Sequence, residues 1–192
     1  MHQSSSTKII VLGATGVGKT ALVIRCLTGQ FFQHYISGSD TAYHFTHGGV
    51  SMDIVDSSGK NDALLSYANG IVLVYSITDR ESFRSLQALV DKVRRVNLQN
   101  VNIVVIGTKC DKQKHRVVST TEAEDFALSN GCTFHETSSY IPKYEVKDIF
   151  INIAKRVNPR KRTQSEVGIR SHIRDTFRGF LSKRRDSTGN ML

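Results

Sequence analysis

Short apolar runs alternate with helix-spaced patterns along most of the chain. KIIVL (residues 8–12) reads as a buried strand, and TALVIRCLTG (residues 20–29) has helical spacing with a glycine stop. Residues 40–46 and 50–55 read as two strands around His47-Gly48-Gly49, a hairpin signal. GIVLVYSI (residues 70–77) and NIVVIG (residues 102–107) are continuous apolar runs of the kind buried in parallel sheets. Residues 81–96, 120–130 and 144–157 read as helices: the second has a threonine cap and an Asn-Gly stop, and the third halts before Pro159. Residues 132–137 read as the last strand. The order β-α-β-β-(α)-β-α-β-α-β-α predicts an α/β fold, one doubly wound, mostly parallel sheet with helices on both faces.

Composition narrows the picture. The 192 residues suit one α/β domain plus a tail, and 39% hydrophobic content is enough for a core. No apolar run reaches the ~18 residues of a membrane span, and the polar start MHQSSSTK has no signal-peptide core. A cytoplasmic protein is expected. Three scattered cysteines, Cys26, Cys110 and Cys132, fit reduced thiols better than a disulfide framework. His44 and His47 read as polar residues flanking a turn rather than as metal ligands. The net charge of +9 is uneven: residues 155–192 hold 11 Lys/Arg against 3 Asp/Glu, and residues 1–154 hold 15 against 14. A nearly neutral body with a strongly basic end is the pattern of an interaction tail.

The chemistry lies in Gly13-Ala14-Thr15-Gly16-Val17-Gly18-Lys19-Thr20, which matches G-x-x-x-x-G-K-[ST] between a strand and a helix. Its glycines let backbone N–H groups turn inward around phosphate oxygens, and the helix start adds partial positive charge. Lys19 would span the β and γ phosphates, and the Thr20 hydroxyl would bind Mg²⁺. Asp56 ends the third strand, where a carboxylate can hold the magnesium shell, and Gly59 follows in the turn. After the fifth strand stands Thr108-Lys109-Cys110-Asp111. A carboxylate there accepts both guanine N–H groups, a donor pair adenine lacks, while the lysine stem packs along the base. Glu136-Thr137-Ser138-Ser139 would bring backbone N–H groups to the base. Phe31 either packs on the base edge or serves loop packing.

Over residues 8–158 these motifs resemble the Ras superfamily of small GTPases: GATGVGKT, the DSSG turn, TKCD and ETSS stand in that family's order and spacing. Within Ras, TALVIRCLTGQF, VSMDIVD, GIVLVYSITDRESF and SKRR resemble the branch of ras-related, estrogen-regulated growth-inhibitor and growth-inhibitor-like proteins. The resemblance implies a Ras-like G domain over residues 8–158, with a six-stranded sheet carrying one antiparallel edge strand. Residues 1–7 before it are expected to be disordered, and residues 159–192 after it are the basic tail that the charge distribution marks. The resemblance further implies a monomer that binds GTP or GDP with Mg²⁺ and switches between two nucleotide states in signal transduction. The nucleotide would contact Gly13 to Ala21, Phe31, Asp56, Gly59, Thr108, Lys109, Asp111, Ser138 and Ser139, with Thr20 and Asp56 on the metal.

Departures from the family pattern bear on hydrolysis. The family's second switch begins Asp-x-x-Gly-Gln, and its glutamine orients the attacking water; here Lys60 takes that place. Lysine has donors and no acceptor, so Lys60 either neutralises γ-phosphate charge or is an exposed loop residue. In the first switch, counting from Tyr35, the threonine that binds Mg²⁺ falls on Gly38; Ser37, Ser39 or Thr41 would serve only if the loop shifts. Thr15 stands where Ras proteins commonly have glycine, and would crowd a partner's arginine finger, a group worth about 10³–10⁵ in rate. From Gly59 to Gly70 the second switch is shorter than the Ras pattern, leaving residues 63–68 room for little more than one helical turn. Thr108 replaces the usual asparagine, and its shorter side chain is expected to miss the bridge to the phosphate loop. Slow hydrolysis by an intact binding site is one expectation. The alternative is a pseudo-GTPase working as a binding module or scaffold.

The tail offers the other candidate chemistry. No cysteine lies in the last four residues and residue 2 is histidine, so neither prenylation nor myristoylation is expected. Ile169, Ile173, Phe177, Phe180 and Leu181 share one helical face beside Arg170, Arg174 and Arg178, over about residues 166–182. Such a segment can lie on anionic lipid at the inner plasma membrane, fill a calmodulin-like groove, pack on the body, or stay solvated. Nucleic acid is not an expected partner, the nucleus is also open as a location, and the sequence names no effector or exchange factor.

Overall fold

The structure is a computed structural model that describes residues 6–31, 40–97, 101–141 and 146–156. Contacts divide the chain into two units, Met1–Asn158 and Pro159–Leu192. The tail helix expected around residues 166–182 lies outside the described residues, as do Tyr35, Ser37, Gly38 and Ser39.

Six strands form one sheet: β1 (Thr7–Leu12), β2 (Thr41–His47), β3 (Val50–Asp56), β4 (Gly70–Ser76), β5 (Asn102–Thr108) and β6 (Thr133–Glu136). Their order is β2-β3-β1-β4-β5-β6, with β2 antiparallel to β3 and every other pair parallel. This is the sheet the sequence leads one to expect. Alternation along each strand sends side chains to opposite faces. Ile9, Val11, Met52, Ile54, Val72, Val74, Val104 and Ile106 face a core closed by helices α1 (Lys19–Thr28) and α6 (Val146–Arg156). The other face is covered by α2 (Asp62–Ser66), α3 (Arg80–Arg84), α4 (Leu86–Val96) and α5 (Thr120–Ser129). There the rings of Tyr75, Phe83 and Phe126 meet edge to face in series.

Two local expectations change. The single helix expected over residues 81–96 is two: Ser85 interrupts it, and its hydroxyl donates to the Ser82 carbonyl at 2.8 Å, a local bond that competes with the helical ladder. Asp79 starts α3 by accepting the N–H groups of Glu81 and Ser82. The cap of α5 is Ser119, not Thr120, since the Ser119 hydroxyl oxygen accepts the Glu122 N–H at 3.1 Å. A 3₁₀ turn at Gln113–His115 joins β5 to α5.

All five parallel strands end on the same edge. The chain leaves β1 for α1 on one face and β4 for α3 on the other, so the crevice between those ends is the topological switch point where open α/β sheets bind ligands.

Candidate functional site

The loop between β1 and α1 occupies that crevice. Gly13 has φ +149°, and a Cβ there would sit 2.1 Å from the Val74 carbonyl oxygen, so only glycine lets the loop pass this close to β4. α1 begins after Gly18 with no side-chain cap and no acid in its first turn. Its partial positive end is thus left to serve an anion. Lys19 Nζ donates to the carbonyls of Gly13 and Ala14, both at 2.9 Å, which holds the ammonium inside the loop. Burial lowers the Lys19 pKa, against the opposing pull of Asp56. Val17 is buried and anchors the loop, while Thr15 is exposed at its apex.

Asp56, at the end of β3, accepts a hydrogen bond from the Thr20 hydroxyl. Burial raises the Asp56 pKa most; Thr20 and Lys19 act the other way, and Asp40 adds to the rise. A hydroxyl and a carboxylate oxygen are the hard donors a magnesium ion takes, and a divalent cation would offset the cost of keeping this carboxylate charged. The pair fits the metal expected there. Thr41, the described one of the hydroxyls weighed for the first switch, pairs with Asp56 across the sheet ladder and so stands beside the metal candidates.

The Gly59 turn is fastened on several sides. Asp40 Oδ1 accepts from the Ser58 N–H at 2.8 Å and from its hydroxyl at 3.1 Å. The Gly59 N–H donates to Ser57 Oγ at 3.1 Å. From α4, Lys92 Nζ donates to the Gly59 carbonyl and pairs with Asp62. Buried Asn97 donates its amide to the carbonyls of Leu65 and Ala68. The short helical turn expected here is α2, five residues long. Lys60 is exposed in this turn.

At the other end, a cavity of ≈ 370 Å³ lies between the loop and the ends of β5 and β6. Gly16, Gly18, Ala21, Phe31, Ser138 and Ser139 are among its walls. Lys109 adopts φ +60°, uncommon for a side-chain-bearing residue, and its Nζ donates to the Gly16 carbonyl at 2.9 Å, so its stem crosses from strand end to phosphate loop. Burial lowers its pKa, aided by Lys112. Asp111 Oδ1 accepts the Ser138 hydroxyl at 2.5 Å. Behind them, Arg116 forks onto Glu136 with two 2.7 Å bonds, tying the loop after β5 to β6.

Thr108 corrects the sequence reading. Its hydroxyl lies 2.5 Å from the Val17 carbonyl and 2.9 Å from the Tyr75 carbonyl. The bridge from β5 to the phosphate loop exists, because the loop comes close enough for a threonine to reach. Sequence reasoning also missed Tyr140 and Lys112, which line the cavity, and Asp40, Lys92 and Asn97, which hold the Gly59 segment. Tyr140 follows directly on ETSS, a signal that was present; the other positions belong to no motif.

Residues 8–159 match the family model described as Ras family. The chain belongs to the Ras family. As a small GTPase of that family it has relatives along most of its length. It is 32% identical over 198 residues to the Ras-related and estrogen-regulated growth inhibitor of Homo sapiens, covering 95% of this chain and 98% of the relative. The Bos taurus protein of the same description is 31% identical over the same span. GTP-binding protein Di-Ras2 of Mus musculus is 31% identical over 173 residues, 81% of this chain and 85% of that one. The family resemblance drawn from GATGVGKT, the DSSG turn, TKCD and ETSS is thus borne out, and growth-inhibitor proteins, whose branch TALVIRCLTGQF, VSMDIVD, GIVLVYSITDRESF and SKRR resemble, stand among the relatives beside Di-Ras2. Among the described residues no helix is long and apolar enough to cross a membrane.

Proposed function

We propose that this chain binds GTP and GDP with Mg²⁺, hydrolyses GTP slowly, and acts as a signalling switch or adaptor of the Ras type. One contrast carries the reading: the groups that hold a nucleotide are assembled, while exposed Lys60 stands where the family places its water-orienting glutamine.

The backbone N–H groups from Gly13 to Gly18 and the start of α1 hold the phosphates. Lys19 moves from its two loop carbonyls to the β and γ phosphate oxygens. Thr20 and Asp56 would hold a magnesium ion, which would supply charge to neutralise those oxygens. Asp111, oriented by Ser138, reads the guanine N–H pair, and Lys109 lays its stem along the base. The water attacking the γ-phosphorus needs an acceptor, and an ammonium offers none. Thr15, exposed at the loop apex, narrows the approach for a partner's arginine. Hydrolysis therefore proceeds on phosphate positioning and charge neutralisation, without a group to orient the attacking water.

A second reading is favoured by the fastening of residues 59–68 to Lys92 and Asn97. A segment held this way remodels little when the γ-phosphate leaves, which suits a binding module acting through other surfaces. The basic tail is then the partner-facing element, toward anionic membrane or a protein groove.

The test is to denature freshly purified full-length protein and identify the released nucleotide by chromatography. Guanine nucleotide near one equivalent is expected. Protein that releases none and takes up no GTP with Mg²⁺ overturns the proposal.

A further inference from the structure

The β2–β3 hairpin carries a polar cluster outside the nucleotide site. Alternation sends Tyr43 and Phe45 to the core side, where they pack on the buried cluster that holds Met52 and Ile54. His44, Thr46, Ser51 and Asp53 therefore share the opposite face, with His44 directly across from Asp53 and Thr46 across from Ser51. Ser51 stands near the hairpin turn, toward the end of β3 opposite to Asp56.

Asp53 fixes the state of the imidazole. His44 Nδ1 is 2.8 Å from Asp53 Oδ1, and a carboxylate offers only acceptors. The proton of the neutral ring is thus held on Nδ1, which leaves the Nε2 lone pair to accept. Nε2 faces two hydroxyls, Thr46 Oγ1 at 3.4 Å and Ser51 Oγ at 3.5 Å. The Thr46 hydroxyl donates to Ser51 Oγ at 3.4 Å. One order of donors then serves the whole row: Thr46 to Ser51, Ser51 to His44, His44 to Asp53.

The bonds to Nε2 are long, as catalytic hydrogen bonds often are before a substrate tightens them. A hydroxyl, a base within its reach and a third group that orients the base are the parts of an activated nucleophile.

We propose that Ser51 is a reactive serine that takes an acyl group from small activated esters, with His44 as general base and Asp53 as its positioning residue. The Ser51 oxygen bonds to the carbonyl carbon, and its proton passes to His44 Nε2. The bond from that carbon to the leaving oxygen then breaks, and the leaving oxygen takes the proton from Nε2. The products are a Ser51 ester and a free alcohol. The side chain of His44 is 60% exposed and that of Asp53 24%, so a small donor reaches the row directly. A base so open to water works at the low end of what a positioned general base contributes, about 10²-fold. No nucleotide takes part, so this inference stands apart from the proposed function.

The experiment treats the full chain with p-nitrophenyl acetate, follows release of p-nitrophenol, and locates the acetyl group by peptide mass spectrometry. Acetyl on Ser51 is expected, removed by neutral hydroxylamine as an ester is and a lysine amide is not. S51A should lose that label. H44Q should slow acetylation of Ser51 about 10²-fold. D53N should slow it too, because an amide N–H facing Nδ1 moves the ring proton to Nε2 and takes the lone pair away from Ser51. Circular dichroism identifies the variants that keep the fold, and either H44Q or D53N alone carries the comparison. Acetyl confined to lysines, or Ser51 acetylated as fast in the folded variants as in wild type, overturns the inference and leaves the row a set of structural surface bonds.

Discussion

Lys92 Nζ lies 2.7 Å from the Gly59 carbonyl oxygen, and the same ammonium is 2.8 Å from Asp62 Oδ1. A residue on α4 thereby holds the turn that follows Asp56. Lys92→Met keeps the stem and removes the charge. It should cost about 1 kcal/mol of stability and raise amide hydrogen exchange over residues 59–63. Unchanged exchange there would show that the contact does not restrain the turn.

Asn97 fastens the other end of that segment, with its amide nitrogen 2.7 Å from the Leu65 carbonyl and 3.1 Å from that of Ala68. The side chain is buried, so Asn97→Ala leaves two carbonyls short of a donor. A loss of about 2 kcal/mol is expected in denaturant titration. Exchange should rise at residues 64–69 more than in β4.

Thr108→Val is nearly isosteric and removes the hydroxyl between the Val17 and Tyr75 carbonyls. Stability should fall by about 1–3 kcal/mol, and nucleotide release should quicken because the phosphate loop loses its tie to β5. Calorimetry and a nucleotide chase read the two effects separately. Thr108→Ser should keep most of both properties.

Asp56 gives a pH-dependent prediction. Burial, the largest cause, holds its carboxyl above the ordinary 3.8 in the folded chain; Thr20 and Lys19 oppose the rise and Asp40 adds to it. Between 3.8 and that raised value the folded state binds more protons than the unfolded state. Stability therefore falls as pH climbs through this window, and the penalty is complete above it. In protein stripped of nucleotide and magnesium, Asp56→Asn should melt higher than wild type at neutral pH, with the gap closing in acid. The same variant should lose the gain in nucleotide affinity that Mg²⁺ confers.

Much of the fold was legible because buried parallel strands are continuous apolar runs, as in GIVLVYS and NIVVIGT. The phosphate loop was legible because glycine spacing and a lysine define a backbone shape. The break at Ser85 was not, since serine fits helical periodicity and its bond to Ser82 forms only in the folded turn. Thr108 was misjudged because reach was inferred from side-chain length, while the reach depends on how near Val17 comes. Lys92 and Asn97 act across 33, 32 and 29 positions of sequence. Their partners are backbone carbonyls, which no residue pattern announces.

Single-turnover cleavage of bound GTP, with wild type and Lys60→Gln side by side, tests the central claim most directly. Wild type is expected to cleave slowly while binding tightly, and Lys60→Gln to cleave faster with unchanged affinity. Cleavage by the wild type at a rate typical of the Ras family, or no gain from the glutamine, would contradict the account given for Lys60.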